Sequence, residues 1–168
     1  MFKNFMSYSF VLSIFFVMNN FVFIHSSFAA EGKLETSLYK FYKVPGTYED
    51  VRVDLEYAIT GRGIKINGVS HISEMLTRTG KDIGRTKKIY GHAEAIEFCS
   101  ATLSRDMMEA DPTNIIFCPY IIYIYSLKED KNSVYLGYRK ISGLNTKASK
   151  KAAAAIIKTY EGIIEDAR

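Results

Sequence analysis

Two cysteines, Cys99 and Cys118, are the side chains of this sequence that are best able to do covalent or redox chemistry. They could form a disulfide, remain two separate buried thiols, or take part in redox or metal chemistry. Their even number favours a disulfide if the chain is exported. A disulfide that closes the loop of 18 residues between them would stabilise the folded protein by roughly 3 kcal/mol. Pro119 follows Cys118 and could expose its sulfur, so the reactive alternative stays open.

His92 is the histidine nearest in sequence to a cysteine. The segment that starts at Glu94 has helical spacing, which would place Cys99 two turns beyond His92 and about 10 Å away. One metal ion could not bind both side chains over that distance, and the chain has no four-ligand cluster with zinc-site spacing. We therefore expect no metal site and no cofactor, and we keep His92 as a candidate ligand-binding residue or a simple surface residue.

Motifs typical of the common enzyme classes are missing from the sequence. It contains no G-x-S-x-G, H-E-x-x-H, C-x-x-C-H or phosphate-loop pattern. This disfavours a serine hydrolase, a zinc protease, a c-type cytochrome and a P-loop enzyme. Five carboxylates lie along or just after the predicted helix that starts at Glu94, and we interpret them as a solvated helix face and helix end rather than an acid–base pair. They are Glu94, Glu97, Asp106, Glu109 and Asp111. We lean towards a protein that is not an enzyme.

The first 29 residues have the pattern of a secretory signal peptide. Lys3 precedes an apolar run over residues 10–18, and small residues follow over 26–30. Cleavage after Ala29 would place Ser27 and Ala29 at the two positions where signal peptidase needs small residues. We therefore predict a cleaved leader over residues 1–29, a mature chain over 30–168, and a periplasmic or secreted bacterial protein.

An uncleaved membrane anchor is the alternative for this leader, since its apolar stretch approaches the roughly 20 residues of a spanning helix. Asn19, Asn20 and His25 interrupt that stretch, and no basic stop-transfer cluster follows. In this alternative the protein would touch the membrane only through the leader. Cleavage would instead remove His25 from any set of ligands.

The mature chain has the size and charge of a single ordinary domain. It would keep about 139 of the 168 residues, and removal of Lys3 with the leader lowers the net charge from +4 to about +3. Such a mild positive charge is not typical of a nucleic-acid-binding protein, and export argues against that role as well. No repeat or second-domain linker is present.

The hydrophobic periodicity predicts alternating strands and helices. Thr47 and Asp50 resemble a capping pair at the start of the first helix. Pro119 lies within the strongest strand pattern and predicts a bulge or an edge there. Together the elements predict an α+β two-layer sandwich, a mainly antiparallel sheet with helices on one face. The predicted strands cover residues 38–44, 64–69, 87–93, 115–125 and 134–140, and the predicted helices cover 47–60, 73–79, 94–107 and 147–167.

This assignment gives a route by which the two cysteines could meet. Cys99 would lie on the inner face of the predicted helix 94–107. Cys118 would share a strand face with Tyr120 and Ile122 in the predicted strand 115–125. A helix packed on the sheet would then bring the two sulfurs within disulfide reach.

The sequence also resembles the family catalogued as domain of unknown function 302. The similarity covers about residues 36–142, and Cys99 and Cys118 occupy the places of two cysteines found in that family. The chain departs from the commonest family form, since Ser100 follows the first cysteine and Pro119 follows the second. Its Phe-Cys-Ser-Ala segment is more similar to a signal-peptide-bearing subgroup. The resemblance implies a TATA-binding-protein-like two-layer sandwich that is often dimeric, and it implies no established activity. The segments that carry it are 44–51, 55–63, 90–99 and 110–125.

Our functional expectation is a non-enzymatic module of the bacterial envelope that binds a small ligand or an envelope protein. The predicted strands 115–125 and 134–140 should form an antiparallel hairpin. Its tyrosines could supply amphipathic binding surface, or most of them could be core. They are Tyr120, Tyr123, Tyr125, Tyr135 and Tyr138. His92, Tyr120 and Tyr123 are the candidate ligand-binding residues. The alternative is a thiol-based redox or metal-handling protein that uses Cys99 and Cys118.

Overall fold

The computed structural model describes residues 32–168, so the predicted leader lies outside the described residues. Six strands form one sheet in the order β1-β2-β6-β5-β4-β3, and every neighbouring pair is antiparallel. In chain order the elements are β1 (Lys33–Glu35), β2 (Tyr39–Pro45), α1 (Tyr48–Thr60), β3 (Lys65–His71), α2 (Ile72–Asp82), β4 (Tyr90–Cys99), α3 (Ala101–Ala110), a 3-10 helix (Pro112–Phe117), β5 (Tyr120–Leu127), β6 (Asp130–Arg139) and α4 (Lys147–Asp166).

Helices α1 and α4 cover one face of this sheet and complete a two-layer α+β sandwich. The predicted fold class is confirmed. Helix α3 packs on α4, and α2 lies against β4, where the Ser73 hydroxyl accepts a hydrogen bond from the Ala93 amide. Within residues 32–168, no helix is both long enough and apolar enough to cross a membrane.

Helix α1 forms where its sequence predicts it. The Thr47 side chain accepts a hydrogen bond from the Asp50 amide and caps the first turn. Val51, Leu55 and Ile59 recur at helical spacing and are buried against the sheet.

The core lies between the helices and the inner face of the four central strands. Alternate residues of β5 are buried while those between them are half-buried, so the sheet has one covered face and one open face. The nearly continuous apolar sequence of this strand predicts burial on both faces, but only one face is fully covered. Strands β4, β5 and β6 contribute Ile96, Phe98, Ile122, Ile124, Val134 and Leu136, and α4 contributes Ile156, Tyr160 and Ile163.

The predicted helix that starts at Glu94 was wrong over residues 94–99, whereas its second part corresponds to α3. Strand β4 continues to Cys99, and the helix that follows it begins only at Ala101. β4 pairs with β3 on one side and with β5 on the other. Ile96 and Phe98 are buried at a period of two, so the helical spacing from Ile96 to Met107 spans two different elements.

The predicted strand over residues 115–125 is divided by Pro119. A 3-10 helix comes first, and the Asp111 carboxylate caps it by accepting a hydrogen bond from the Thr113 amide. The Cys118–Pro119 peptide bond is cis and lies just before β5. Pro119 therefore causes neither a bulge nor an edge within the strand, because it stands outside it.

Candidate functional site

Cys99 and Cys118 meet at one end of the sheet. Cys99 is the last residue of β4, and Cys118 lies between the 3-10 helix and β5. Because β4 and β5 are antiparallel with Phe98 opposite Tyr120, the residues just outside that pair are neighbours. The two Sγ atoms are 3.5 Å apart, and both residues are partly exposed free thiols. Strand pairing, rather than the predicted packing of a helix on a strand, brings them together.

The surroundings of Cys99 do not favour its thiolate. Burial raises the pKa of Cys99, and the neighbouring Cys118 raises it further. The Ser104 hydroxyl lies 3.8 Å from the Cys118 sulfur. Reactive cysteines in enzymes usually have a lowered pKa, so the raised pKa of Cys99 is opposite to that pattern.

His92 lies at the other end of β4, on the side of the sheet that carries α1. Its imidazole stacks on the phenol ring of Tyr48, with ring centroids 4.5 Å apart. A bulge at Gly91 turns His92 towards this side: Tyr90 pairs with Leu127, whereas His92 pairs with Ser126. The His92 amide donates a hydrogen bond to the Ser126 hydroxyl, which fixes the strand at this point.

Two adjoining clefts open beside this stacked pair, and we call them together the His92 cleft. The first has a volume of about 470 Å³ and is lined by three lysines, Lys88, Lys128 and Lys131, but by one carboxylate, Glu49. The second, of about 540 Å³, lies against α2 and shares Lys88, Gly91 and His92 with the first. It adds Arg78, Lys81 and Glu74. The side chains around the His92 cleft therefore carry an excess of positive charge.

A partly buried ionic network lies next to the His92 cleft. The Glu94 carboxylate accepts a hydrogen bond from Arg52 Nε at 2.6 Å, and His71 Nδ1 lies 2.8 Å from its other oxygen. Burial opposes ionisation of Glu94, yet the hydrogen bonds from Arg52 and His71 hold its pKa below the usual range. Burial, with the Glu94 charge, raises the pKa of Tyr48. This network ties α1 to β3 and β4 and keeps Tyr48 neutral.

The other candidate residues do not join either site. Tyr120 is only 1% exposed and packs in the core against Phe98 and Tyr160. Tyr123 lies on the open face of the sheet, under the Arg139 guanidinium. His92 and Cys99 are seven residues apart along a strand, about 23 Å at the usual rise, so they cannot act on one ligand.

Metal binding has no support in the part of the chain that the structure describes. Residues 32–168 contain no group of three or more His, Cys, Asp or Glu side chains placed to hold a metal ion. His71 and Glu94 are in contact, but Arg52 shares the carboxylate with His71 and supplies a positive charge there.

Sequence reasoning missed Tyr48, Arg52 and Lys88 as members of a site. Tyr48 and Arg52 were residues of a helix with a recognised buried stripe, and nothing in their spacing singled them out. The available signal was Gly91, because an isolated glycine in a strand pattern often marks a bulge. That bulge decides which way His92 faces.

Comparison with known families gives a match over most of the described chain. The model of a family described as "Domain of unknown function DUF302" matches residues 41–167. This chain belongs to the DUF302 family. The match extends through α4, beyond the limit near residue 142 that the sequence resemblance suggested. Curated proteins give no match.

A solved structure of a DUF302 protein supports the fold. A crystal structure described as an uncharacterized conserved protein DUF302 from Bacillus stearothermophilus is similar to this chain with a TM-score of 0.63 and 17% sequence identity. The similarity covers 76% of this chain and 98% of that one. At this identity, the likeness between the two DUF302 proteins extends to the fold alone.

Proposed function

We propose that this DUF302 protein is an exported module of the bacterial envelope that binds a small anionic ligand in the His92 cleft. The observation that carries the proposal is the preformed cleft beside the Tyr48–His92 stack, where lysines outnumber carboxylates. Its volume of about 470 Å³ lies within the range of 300–1,000 Å³ that is usual for small-molecule sites. No step of this proposal requires a chemical reaction or a cofactor.

The charge around the His92 cleft favours an anion over a cation or a neutral ligand. Lys88, Lys128 and Lys131 are exposed, so their charges are available to a ligand that enters from solvent. A cleft lined mainly by one sign of charge concentrates ligands of the opposite sign. The His92 ring and the Ser126 hydroxyl add hydrogen-bonding groups at its base.

Titration of the purified protein with inorganic phosphate and with citrate tests the ligand class, with the amide NMR signals of Gly91, His92 and Lys128 as the readout. We expect saturable shifts confined to the His92 cleft. Lys88→Ala should weaken binding about fivefold, the effect of losing roughly 1 kcal/mol of charge attraction. Lys158→Ala is the matched control, since Lys158 is an exposed lysine of α4 away from the cleft. Equal weakening by both variants, or shifts spread over the surface, would contradict the proposal.

Export rests on the leader pattern of residues 1–29. Expression of the whole gene in a bacterial host, followed by intact mass measurement of the periplasmic protein, tests it. We expect a chain that begins at Ala30. Recovery only in the cytoplasm at full length would rule out a cleaved leader, and recovery in the membrane fraction at full length would support the anchor alternative.

A protein partner, including a second copy of the chain, is supported by the open face of the sheet. Phe41, Tyr125 and Tyr135 form continuous ring contacts there, with Tyr125 and Tyr135 stacked at 4.7 Å. Aromatic side chains of this kind are enriched at protein interfaces. Sedimentation of the protein, compared with a Tyr135→Ala variant, would show whether this surface makes a homodimer.

Thiol-based redox or metal handling remains the second candidate function. The 3.5 Å separation of the Cys99 and Cys118 sulfurs is the observation in its favour. The raised pKa of Cys99 and its distance from His92 argue against catalysis and against a shared metal site. Iodoacetamide labelling of the reduced protein across a pH series distinguishes the cases. A thiol that reacts fully below pH 7 would support redox chemistry, and slow labelling until alkaline pH would exclude it.

A further inference from the structure

The geometry points to Cys99 and Cys118 as the site of an intramolecular disulfide that joins the two ends of the segment over residues 100–117. The two sulfurs, 3.5 Å apart, are already in van der Waals contact in the thiol form. The proposal concerns the end of β4 opposite the His92 cleft and stands independently of the proposed ligand binding.

Sheet pairing holds the two cysteines in place before any bond forms. Phe98, which precedes Cys99, is paired with Tyr120 on β5, and Lys65 of β3 pairs with Cys99 itself. Both neighbours of the pair in the sheet, Phe98 and Tyr120, are only 1% exposed. The backbone that carries the cysteines is therefore anchored next to the core.

Partial exposure of both thiols distinguishes this pair from two inert core cysteines. Each cysteine is only partly covered, so neither residue is shut off from solvent. Free buried cysteines usually act as small apolar core residues, without contact between their sulfurs. Here the sulfurs face one another at the rim of the sheet.

The bond would form by thiol–disulfide exchange with an external disulfide, such as glutathione disulfide or a protein dithiol oxidase. One cysteine thiolate attacks the external disulfide, and a mixed disulfide and one free thiol result. The second cysteine then attacks the mixed disulfide and releases the other external thiol. Two electrons and two protons leave the cysteine pair, and the external disulfide is reduced to two thiols.

The segment that this bond would close already has anchors at its middle. Met107 of α3 is buried, and the Asn114 side-chain amide donates to the Met107 carbonyl at 2.8 Å and to the Ser149 hydroxyl at 2.9 Å. The closed segment would also fix Phe117 and Pro119, which form one wall of a cavity of about 240 Å³ next to Tyr160.

A tryptic map of the folded protein after oxidation tests the proposal directly. Reduced protein is treated with glutathione disulfide, blocked with iodoacetamide, unfolded and digested without reductant. Trypsin cuts after Lys88, Arg105 and Lys128, so Cys99 and Cys118 fall in separate peptides, residues 89–105 and 106–128. We expect these two peptides to be linked and the intact mass to fall by two hydrogen atoms. Two alkylated cysteines, stable glutathione adducts, or linkage between chains would each overturn the proposal.

Thermal unfolding gives a second, independent measurement. The oxidised wild-type protein should melt at a higher temperature than the same protein with reductant, because the closed segment restricts the unfolded chain. The Cys99→Ser and Cys118→Ser double variant should melt at one temperature in both conditions. An unchanged melting temperature of the wild type on reduction would contradict closure of the segment. The peptide map needs no variant, so it decides the matter even if the double variant fails to fold.

Discussion

The imidazole of His92 lies almost parallel to the phenol ring of Tyr48, with an interplanar angle of 18° and ring centroids 4.5 Å apart. One ring comes from a central strand and the other from the first turn of α1, so the contact joins the two layers of the sandwich. Both rings are held by regular elements rather than by loops. A cleft built on rigid elements keeps its shape without a ligand, which reduces the entropy cost of binding.

The ring of Tyr48 is expected to matter more than its hydroxyl. Tyr48→Ala should lower the free energy of unfolding by about 2 to 4 kcal/mol, because it removes a buried ring and that ring's stacking contact with His92. Tyr48→Phe keeps the ring, and the buried hydroxyl makes no hydrogen bond of ordinary geometry within residues 32–168, so its effect should stay below about 1 kcal/mol. Urea unfolding of each variant measures its change in the free energy of unfolding.

Tyr57→Ala is the matched control for this pair of variants. Tyr57 is on the same helix but is 72% exposed, so its loss should change stability by no more than about 0.5 kcal/mol. A loss from Tyr57→Ala as large as that from Tyr48→Ala would mean that helix propensity, and not the stack, dominates.

Glu161 of α4 should make stability depend on acidic pH. Burial opposes ionisation of this carboxylate, but hydrogen bonds from Lys40, Tyr138 and Tyr42 hold its pKa below the usual range. Since the folded pKa is lowered, the stabilisation is fully present above the unfolded value of about 4.3 and is lost as pH falls through the folded pKa. Glu161→Gln should cost about 1 to 3 kcal/mol at neutral pH.

The pH dependence of that variant is the decisive measurement. The difference in the free energy of unfolding between wild type and Glu161→Gln should shrink steadily below pH 4. Glu165→Gln serves as control, because Glu165 pairs with Arg168 near the exposed end of the same helix. A wild-type advantage over Glu161→Gln that is constant from pH 7 to pH 3 would disprove the ionic contribution.

Asn114 should behave as a core residue although it lies in a 3-10 helix at the surface. Its side chain is 4% exposed and donates two hydrogen bonds, to Met107 and Ser149. Asn114→Ala should reduce the free energy of unfolding by about 1 to 3 kcal/mol, because two acceptors lose their donor. The neighbouring Ile115 is 65% exposed, so Ile115→Ala should have little effect in the same unfolding experiment.

Gly137 should tolerate no side chain. A Cβ atom at this position would lie 2.3 Å from the Phe41 ring and 2.5 Å from the Lys40 carbonyl oxygen on the neighbouring strand. Gly137→Ala should therefore destabilise the protein by about 1 to 3 kcal/mol. Gly32→Ala is the control, since its Cβ would meet Lys43 only at an ordinary 3.6 Å. Similar melting temperatures for the two variants would show that Phe41 can move away freely.

Local patterns in the sequence were sufficient to predict helix α1, the β5–β6 hairpin and α4. Thr47 and Asp50 mark the start of α1, and the buried residues of α4 recur at helical spacing. The fold class followed from the order of such segments. These features depend on neighbours in sequence, so no knowledge of distant contacts was needed.

The elements around the candidate sites could not be predicted in the same way. Residues 94–99 fit a helical pattern as well as a strand pattern, and pairing with β3 and β5 decides in favour of the strand. That choice depends on contacts with residues far away in sequence. It moved Cys99 from a helix to a strand end and separated it from His92 by the length of β4.

The bulge at Gly91 shifts the alternation of side chains between the two faces of β4 by one residue. Before it, Tyr90 faces the open side of the sheet and touches Tyr125; after it, His92 faces α1. Strict alternation would have put both side chains on one face. Deletion of Gly91 alone would make Tyr90 and His92 consecutive residues of a regular ladder, in which alternation leaves each side chain on its present face. A related sequence with a one-residue gap here can therefore keep its histidine facing α1, whereas one of equal length that lacks the bulge would carry both side chains on one face.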